Sequence, residues 1–469
     1  MRSVLLTNSA LSCLLMLGLG TGVASAAGNP LETSRPTPPG PPRWTDDYRF
    51  LDDPAKRTDP FDTLRYQRLS DTAWMQLGGE FRYRADYLDR PGYGLKGLNR
   101  DDYLQQRLML HADVHLFDDR VRSFVQLANT RTWGKDTLAP VDESRTEVSQ
   151  AFMDFNLDFA PGSRLTTRIG RQELGFGDLV FTGYREAPNV RQSFDGVRLS
   201  LRRPGGYTFD AFAVKGVHND PDSFDDGTDN ALRFYGLYST LPTGTPLWID
   251  VYAFDVERDD RSLDGLFGDE KRYTWGTRLF GKYGAWDWSW NLMYQTGHLA
   301  DADIDAWAIS GTSGYGFTGP LRSRLGIRLD VISGDDRRGD DKVGTFDPLF
   351  PRNSLWGKAN LTTPANLVLF GPTYSFSPRP WLQIEPSISS LWRQNNHDAV
   401  YYPNLIAAPG TTTSSGSHIG MMYKTDVRWN ASRNLTFDLE YLYFDSGAAL
   451  RDAGGRDSQF VSVQGVFRF

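Results

Sequence analysis

The chain has 469 residues, 13% of them aromatic and 23% charged, with a formal charge of −7 and a mean hydropathy of −0.46. That is enough length for a large fold and too polar a composition for a bundle of membrane helices. The acidic balance argues against a general nucleic-acid binder.

Residues 1–26 carry Arg2, the apolar run LLTNSALSCLLMLGLG and Ala24-Ser25-Ala26 ahead of Ala27, the pattern of a secretory signal peptide with an A-x-A cleavage site. The only cysteine, Cys13, lies inside it, so disulfide and thiol chemistry are excluded from the mature chain. After residue 26 no apolar run is long enough for a spanning helix, which leaves an exported membrane protein one option, a closed barrel. Residues 27–71 form a leader: PTPPGPPRW is extended and proline-rich, and TDDYRFLDDPAKRTDPFDTLRYQRL is polar with aromatic anchors. Two readings of it stand, a periplasmic leader and a plug tucked into the pore.

Residues 72–469 read as the barrel. In the first segment Ala73, Met75, Leu77, Phe81, Tyr83, Ala85 and Tyr87 alternate with Trp74, Gln76, Glu80, Arg82, Arg84 and Asp86, one apolar face against one charged. The pattern recurs in LSLRR, RYTWGTRLFGKY and LRSRLGIRLDVI. WDWSWNLMY and NLTFDLEYLYF add the Tyr and Trp girdles of a lipid-facing band, and the chain closes on FVSVQGVFRF with a terminal aromatic. These segments predict an all-β fold, a transmembrane antiparallel β-barrel of about 18 strands. Short turns at Asp118-Asp119, Pro161-Gly162, Pro204-Gly205, Gly284-Ala285 and Gly319-Pro320 follow even-numbered strands, whereas longer connections, among them 259–270 and 334–365, follow odd-numbered ones. That asymmetry is the periplasmic-turn, extracellular-loop arrangement of a bacterial outer-membrane barrel, and at this strand number the interior is expected to be a water-filled channel.

The stretch Gly170 to Arg198, GRQELGFGDLVFTGYREAPNVRQSFDGVR, then becomes the end of strand five, an outward loop and the start of strand six. Together with LGGEFRYRADY, WTDDYRFLDDPAKRTDPFDTLRY, VRSFVQLANT and GTFDPLFP, its GRQELGFGDLVF and REAPNVRQSFDGVRL blocks resemble the alginate export family of outer-membrane porins. The resemblance runs from Trp44 to Phe469 and implies a monomeric barrel with an arginine-rich constriction, which in the namesake passes alginate out of the cell.

The lumen-facing phase supplies the candidates for translocation: Arg82, Arg84, Arg107, Arg168, Arg198, Arg322, Arg324 and Arg328, joined near the loop by Arg171, Arg185 and Arg191. Guanidinium groups bind carboxylates bidentately, and Arg82/Arg84 and Arg322/Arg324, two residues apart on a strand, would stand ~6.6 Å from each other. The bland reading is that lumen acids such as Glu80, Asp154, Asp210 and Asp330 neutralise these arginines across strands. In the loop, Glu173, Gly175, Gly177, Asp178, Glu186 and Asp195 are the candidate constriction residues, because Phe176, Leu179, Val180 and Phe181 would be stranded in water if the loop pointed outward. His111 and His115 are ~13 Å apart on a strand, too far to share an ion, and neither a metal nor a cofactor is expected.

The function expected is an outer-membrane channel for anionic solutes, an acidic polysaccharide such as alginate among them. The alternatives are a general diffusion porin with weak anion preference and an outer-membrane lipid-modifying enzyme; no catalytic residue is proposed. The partners expected are outer-membrane lipid, an anionic solute or polyuronate and, for an exporter, periplasmic export proteins, with no nucleic acid.

Overall fold

The computed structural model describes residues 42–352 and 356–469; the signal peptide, Cys13 and the leader up to residue 41 lie outside them. Eighteen antiparallel strands close into one barrel. In chain order they are β1 (Ala73–Asp89), β2 (Arg100–Leu116), β3 (Val121–Trp133), β4 (Ser144–Ala160), β5 (Ser163–Gln172), β6 (Phe194–Arg202), β7 (Thr208–His218), β8 (Gly227–Pro242), β9 (Leu247–Leu263), β10 (Leu266–Tyr283), β11 (Trp286–Leu299), β12 (Ala302–Gly316), β13 (Arg324–Ile332), β14 (Leu367–Arg379), β15 (Leu382–Trp392), β16 (His418–Asn430), β17 (Leu435–Ser446) and β18 (Ser458–Arg468). Consecutive strands pair, and β18 returns to β1 with Arg468 opposite Glu80 and Val463 opposite Ala85. Closure leaves no edge of unpaired N–H and C=O groups, the condition for backbone to cross hydrocarbon.

Burial follows the alternation. In β1, Phe81, Tyr83 and Tyr87 are 37–41% exposed on the outer face, and Arg82, Arg84 and Asp86 are 4% exposed or less on the inner one. The outer belt continues through Leu237, Trp275, Leu292, Ile327, Phe370 and Tyr441, all exposed. An arginine in such a belt loses hydration with nothing to replace it. Replacing Leu237 by Arg should cost about 2–4 kcal/mol if its level is near the bilayer midplane, read as a lower denaturant midpoint for refolding into vesicles.

The connections after even-numbered strands are short, and both ends of the barrel domain lie on that side. Two connections after odd-numbered strands are also tight. The 259–270 loop expected from the alternation is instead a continuation of β9 and β10, with Leu263 opposite Leu266 across Asp264-Gly265. Positive φ at both turn residues, 54° and 89°, fits the Asp-Gly hairpin turn whose twist matches its strands. Here the outer face of the hairpin meets water and the inner face, with Leu263 and Glu270 buried, is covered by loops, so no lipid-facing apolar row marks its continuation. Ala300-Asp301 joins β11 and β12 as tightly, with Leu299 opposite Ala302 and positive φ at Ala300 alone.

The leader, from Pro42 on, meets the inner wall near the chain termini. Arg43 donates to the carbonyls of Gly79 (3.0 Å) and Phe469 (2.8 Å). Trp44 sits 4.0 Å from the Arg168 guanidinium and edge-on to Phe152. Further along, Gln67–Ser70 pairs with the start of β1.

The interior departs from a purely water-filled channel. Phe212, Phe234, Tyr238 and Phe254 point inward from β7, β8 and β9 and pack with residues of in-turned loops in one buried cluster. A barrel of this size leaves room for such filling, and apolar loop side chains supply it.

Candidate functional site in the barrel lumen

The segment 173–193, between β5 and β6, turns into the lumen. Its apolar residues explain part of this. Leu174, Phe176, Val180 and Phe181 are 2–8% exposed, with the Phe176 ring 4.9 Å from that of Tyr238 and 5.4 Å from that of Phe212. Gly177 has φ 59°, and a Cβ there would stand 2.7 Å from Tyr238 Oη, so the close approach requires glycine. Gly175 is similarly confined, 2.6 Å from Tyr184 Cζ.

Wall arginines hold the other half of the segment. Arg82 donates to the carbonyl of Glu186 (2.8 Å) and to Asn189 Oδ1 (3.0 Å); Arg84 donates to the carbonyl of Ala187 and pairs with Asp86. Arg107 bridges Glu80 (2.7 Å) and Glu186 (2.5 Å), and Arg191 pairs with Glu173 (2.8 Å). Burial works against ionisation of Glu186, but the guanidinium groups of Arg107, Arg191 and Arg468 together outweigh it and hold the carboxyl below its usual range. Asp178 accepts from Ser289 Oγ (2.8 Å) and Asn291 Nδ2 (3.1 Å) of β11, neutral donors rather than an arginine.

A second segment, 333–366 between β13 and β14, meets the first. Gly183 N–H donates to the Phe350 carbonyl (2.9 Å), Phe350 N–H to the Phe181 carbonyl (3.0 Å), and Arg352 N–H to the Leu179 carbonyl (3.1 Å). The rings of Phe181 and Phe346 are 5.7 Å apart. The two loops therefore interlock through backbone pairing inside the barrel.

The wall arginines are mostly consumed by acids. Arg168 pairs with Asp154 (2.8 Å), Arg198 with Asp210 (2.8 Å), Arg324 with Asp287 (2.5 Å) and Arg328 with Asp330 (2.7 Å). Arg322 lies in the turn before β13, exposed and with φ 43°, so it does not share a strand face with Arg324. The strand starts later than its alternation suggests because Leu321 and Arg322 already belong to the connection after an even-numbered strand. Arg171 and Asp195 face each other 2.9 Å apart in the phase of the exposed, outward Ile169 and Val197. They brace the outer wall, and Asp195 belongs to β6 rather than to the loop. A one-residue offset in a strand reverses the face.

Two guanidinium groups of the loops differ from all of these. The Nε atoms of Arg185 and Arg352 are shut off from solvent with no hydrogen-bond partner among the described residues, as is that of Arg82, but Arg82 places its terminal nitrogens on Glu186, Pro188 and Asn189. Neither side chain has a carboxylate in ion-pair range there. Burial, with Arg258 adding repulsion, pushes Arg185 down to about 10, and burial followed by Arg328 lowers Arg352. At neutral pH Arg185 remains a cation. Arg185 was a candidate from the sequence. Arg352 was missed, although GTFDPLFP ends one residue before it; the signal marked the segment and not where its tip rests.

Several solved structures share the architecture. OccK2 (OpdF) of Pseudomonas aeruginosa in complex with glucuronate aligns with a TM-score of 0.55 at 14% identity, covering 84% of this chain and 98% of that one. OccK9 (OpdG) of the same organism gives 0.56 at 13% identity, covering 84% and 98%. A BenF-like porin from Pseudomonas fluorescens Pf-5 gives 0.55 at 11% identity, covering 84% and 99%. At such identities the likeness is one of fold. A comparison with curated proteins gives no significant match. The family model for alginate export matches residues 73–464, which is nearly the whole barrel. By that match the chain belongs to the alginate export family, and it is a β-barrel channel of the bacterial outer membrane.

Proposed function

We propose that the channel passes anionic, sugar-derived or other organic solutes, and that its preference is set by the interlocked loops rather than by the wall. The observation that carries this reading is the pair Arg185 and Arg352, charged, inside the lumen and without carboxylate partners among the described residues. A guanidinium already bound to an acid offers a passing anion little net field, whereas an unpaired one between low-dielectric walls acts on whatever enters. The chain's overall charge matters little beside the field of the groups that line the path. The family's namesake solute, alginate, and the glucuronate bound by OccK2 are both carboxylates, which agrees with this chemistry. No catalytic residue is assigned.

The reversal potential of the wild-type channel in a potassium chloride gradient tests the reading. Anion preference is expected. Cation preference would remove it, and a pore near neutrality would point to a general diffusion porin whose arginines only brace the wall.

A further inference from the structure

Between the in-turned loops and β9 lies a cavity of about 200 Å³, lined on a further side by Pro403, Asn404 and Leu405 from the 393–417 connection. Its charges do not balance. The guanidinium groups of Arg185, Arg258 and Arg261 line it against a single lining carboxylate, Asp347. That carboxylate is already engaged, with Oδ2 on Arg258 at 2.9 Å and Oδ1 accepting from Leu349 N–H at 2.7 Å. Glu270 takes Arg258 at 2.7 Å and reaches Arg261 only at 3.8 Å. Even with Glu270 counted, one positive charge is in excess, and Arg185 has no partner of its own among the described residues. An uncompensated charge in a confined site favours capture of a counter-ion, and a guanidinium favours a carboxylate in the plane of its two N–H donors.

The rest of the lining says what the carboxylate is attached to. Leu349, Phe350, Trp356 and Leu405 give an apolar wall, with Asn360 and Thr363 as polar groups beside it. A bare inorganic anion would leave that wall facing water. The volume is below the ~300–1,000 Å³ of pockets that hold drug-sized molecules, and at ~30 Å³ per water it corresponds to one ring-sized solute. A polymer threading through would have to displace the three loops that line the space.

We propose that this cavity is a binding stop for one ring-sized monocarboxylic acid, held by Arg185 and packed against Trp356 and Phe350. The proposal rests on the reading of the channel as a path for anions, and it narrows that reading to small acids at this site.

The test is single-channel recording in planar bilayers with galacturonate, cyclohexanecarboxylate or a uronate oligomer added, on wild type, Arg185→Gln and Arg185→Lys. Each protein is first checked for the heat-dependent gel shift of a folded barrel. Wild type should show brief current interruptions with one or both monomers at millimolar concentration. Arg185→Gln should weaken them about tenfold or more, as expected for loss of a hydrogen bond to a charged group, and Arg185→Lys should keep part of the effect. Interruption by galacturonate alone assigns the polar groups the larger share, and by cyclohexanecarboxylate alone the apolar wall; either supports the site. Anion preference in chloride without interruption by either monomer would overturn the binding stop and leave the channel reading standing. Interruption that is unchanged in Arg185→Gln, or that only the oligomer produces, would overturn it as well. Cation preference in chloride would instead overturn the channel reading itself.

Discussion

Deleting Gly177–Gly183 is expected to raise single-channel conductance severalfold and to weaken anion preference. The deleted residues include Asp178, which ties the segment to Ser289 and Asn291. They also include Phe181 and Gly183, which join it to Phe350 of the second loop. Without them the second loop loses its backbone partners, and Arg352 loses the Leu179 carbonyl that fixes its main chain. The barrel itself should persist, because none of its strand pairs involves these residues. Conductance that stays at the wild-type value, in a variant that still shows the heat-dependent gel shift, would place the loop outside the path.

Replacing Arg107 by Leu is expected to destabilise the protein by about 3 kcal/mol, near the lower end of the cost of removing one partner from a buried ion pair. Arg107 is fully buried and serves two carboxylates, Glu80 and Glu186, so its loss strips both. The cost stays toward the lower end because Arg468 remains 2.7 Å from Glu80 and 3.4 Å from Glu186. The loop should loosen before the barrel opens. A urea titration should therefore show a lower midpoint for the variant, and current traces should become noisier. An unchanged midpoint would mean that the Arg107 pairs are neutral against an apolar replacement of similar reach.

Most of the barrel could be read from the sequence, and the reason is physical. A strand between lipid and lumen has to alternate, and β1 does so over most of its length. The signal fails where lipid ends. Residues 259–270 look like a loop because the outer face of that hairpin meets water while the inner face, with Leu263 and Glu270 buried, is covered by loops, and only the Asp-Gly turn at Asp264-Gly265 hints that pairing continues. Arg322 was assigned to a strand by the same pattern, carried past the last lipid-facing residue into a turn.

The lumen was less legible because charge pairing depends on which strands are neighbours. Arg198 and Asp210 lie twelve residues apart and meet only because β6 and β7 pair with Ser200 opposite Asp210. Nothing in the local sequence distinguishes that arginine from Arg185. The inward turn of the first loop was visible in its apolar Phe176, Val180 and Phe181, since such residues need a partner. In the second loop GTFDPLFP carried only the family resemblance, and its registration against Leu179 and Phe181 is a long-range pairing that no local pattern encodes.

On the proposed reading, the unpaired arginines of the interlocked loops set selectivity and the paired arginines of the wall do not. The most direct measurement is the reversal potential of the double variant Arg185→Gln/Arg352→Gln beside that of Arg324→Gln, whose guanidinium is paired to Asp287 in wild type. The double variant should lose most of the wild-type anion preference, and Arg324→Gln should shift it only slightly. Full anion preference in the double variant, or its loss in Arg324→Gln alone, would contradict that reading.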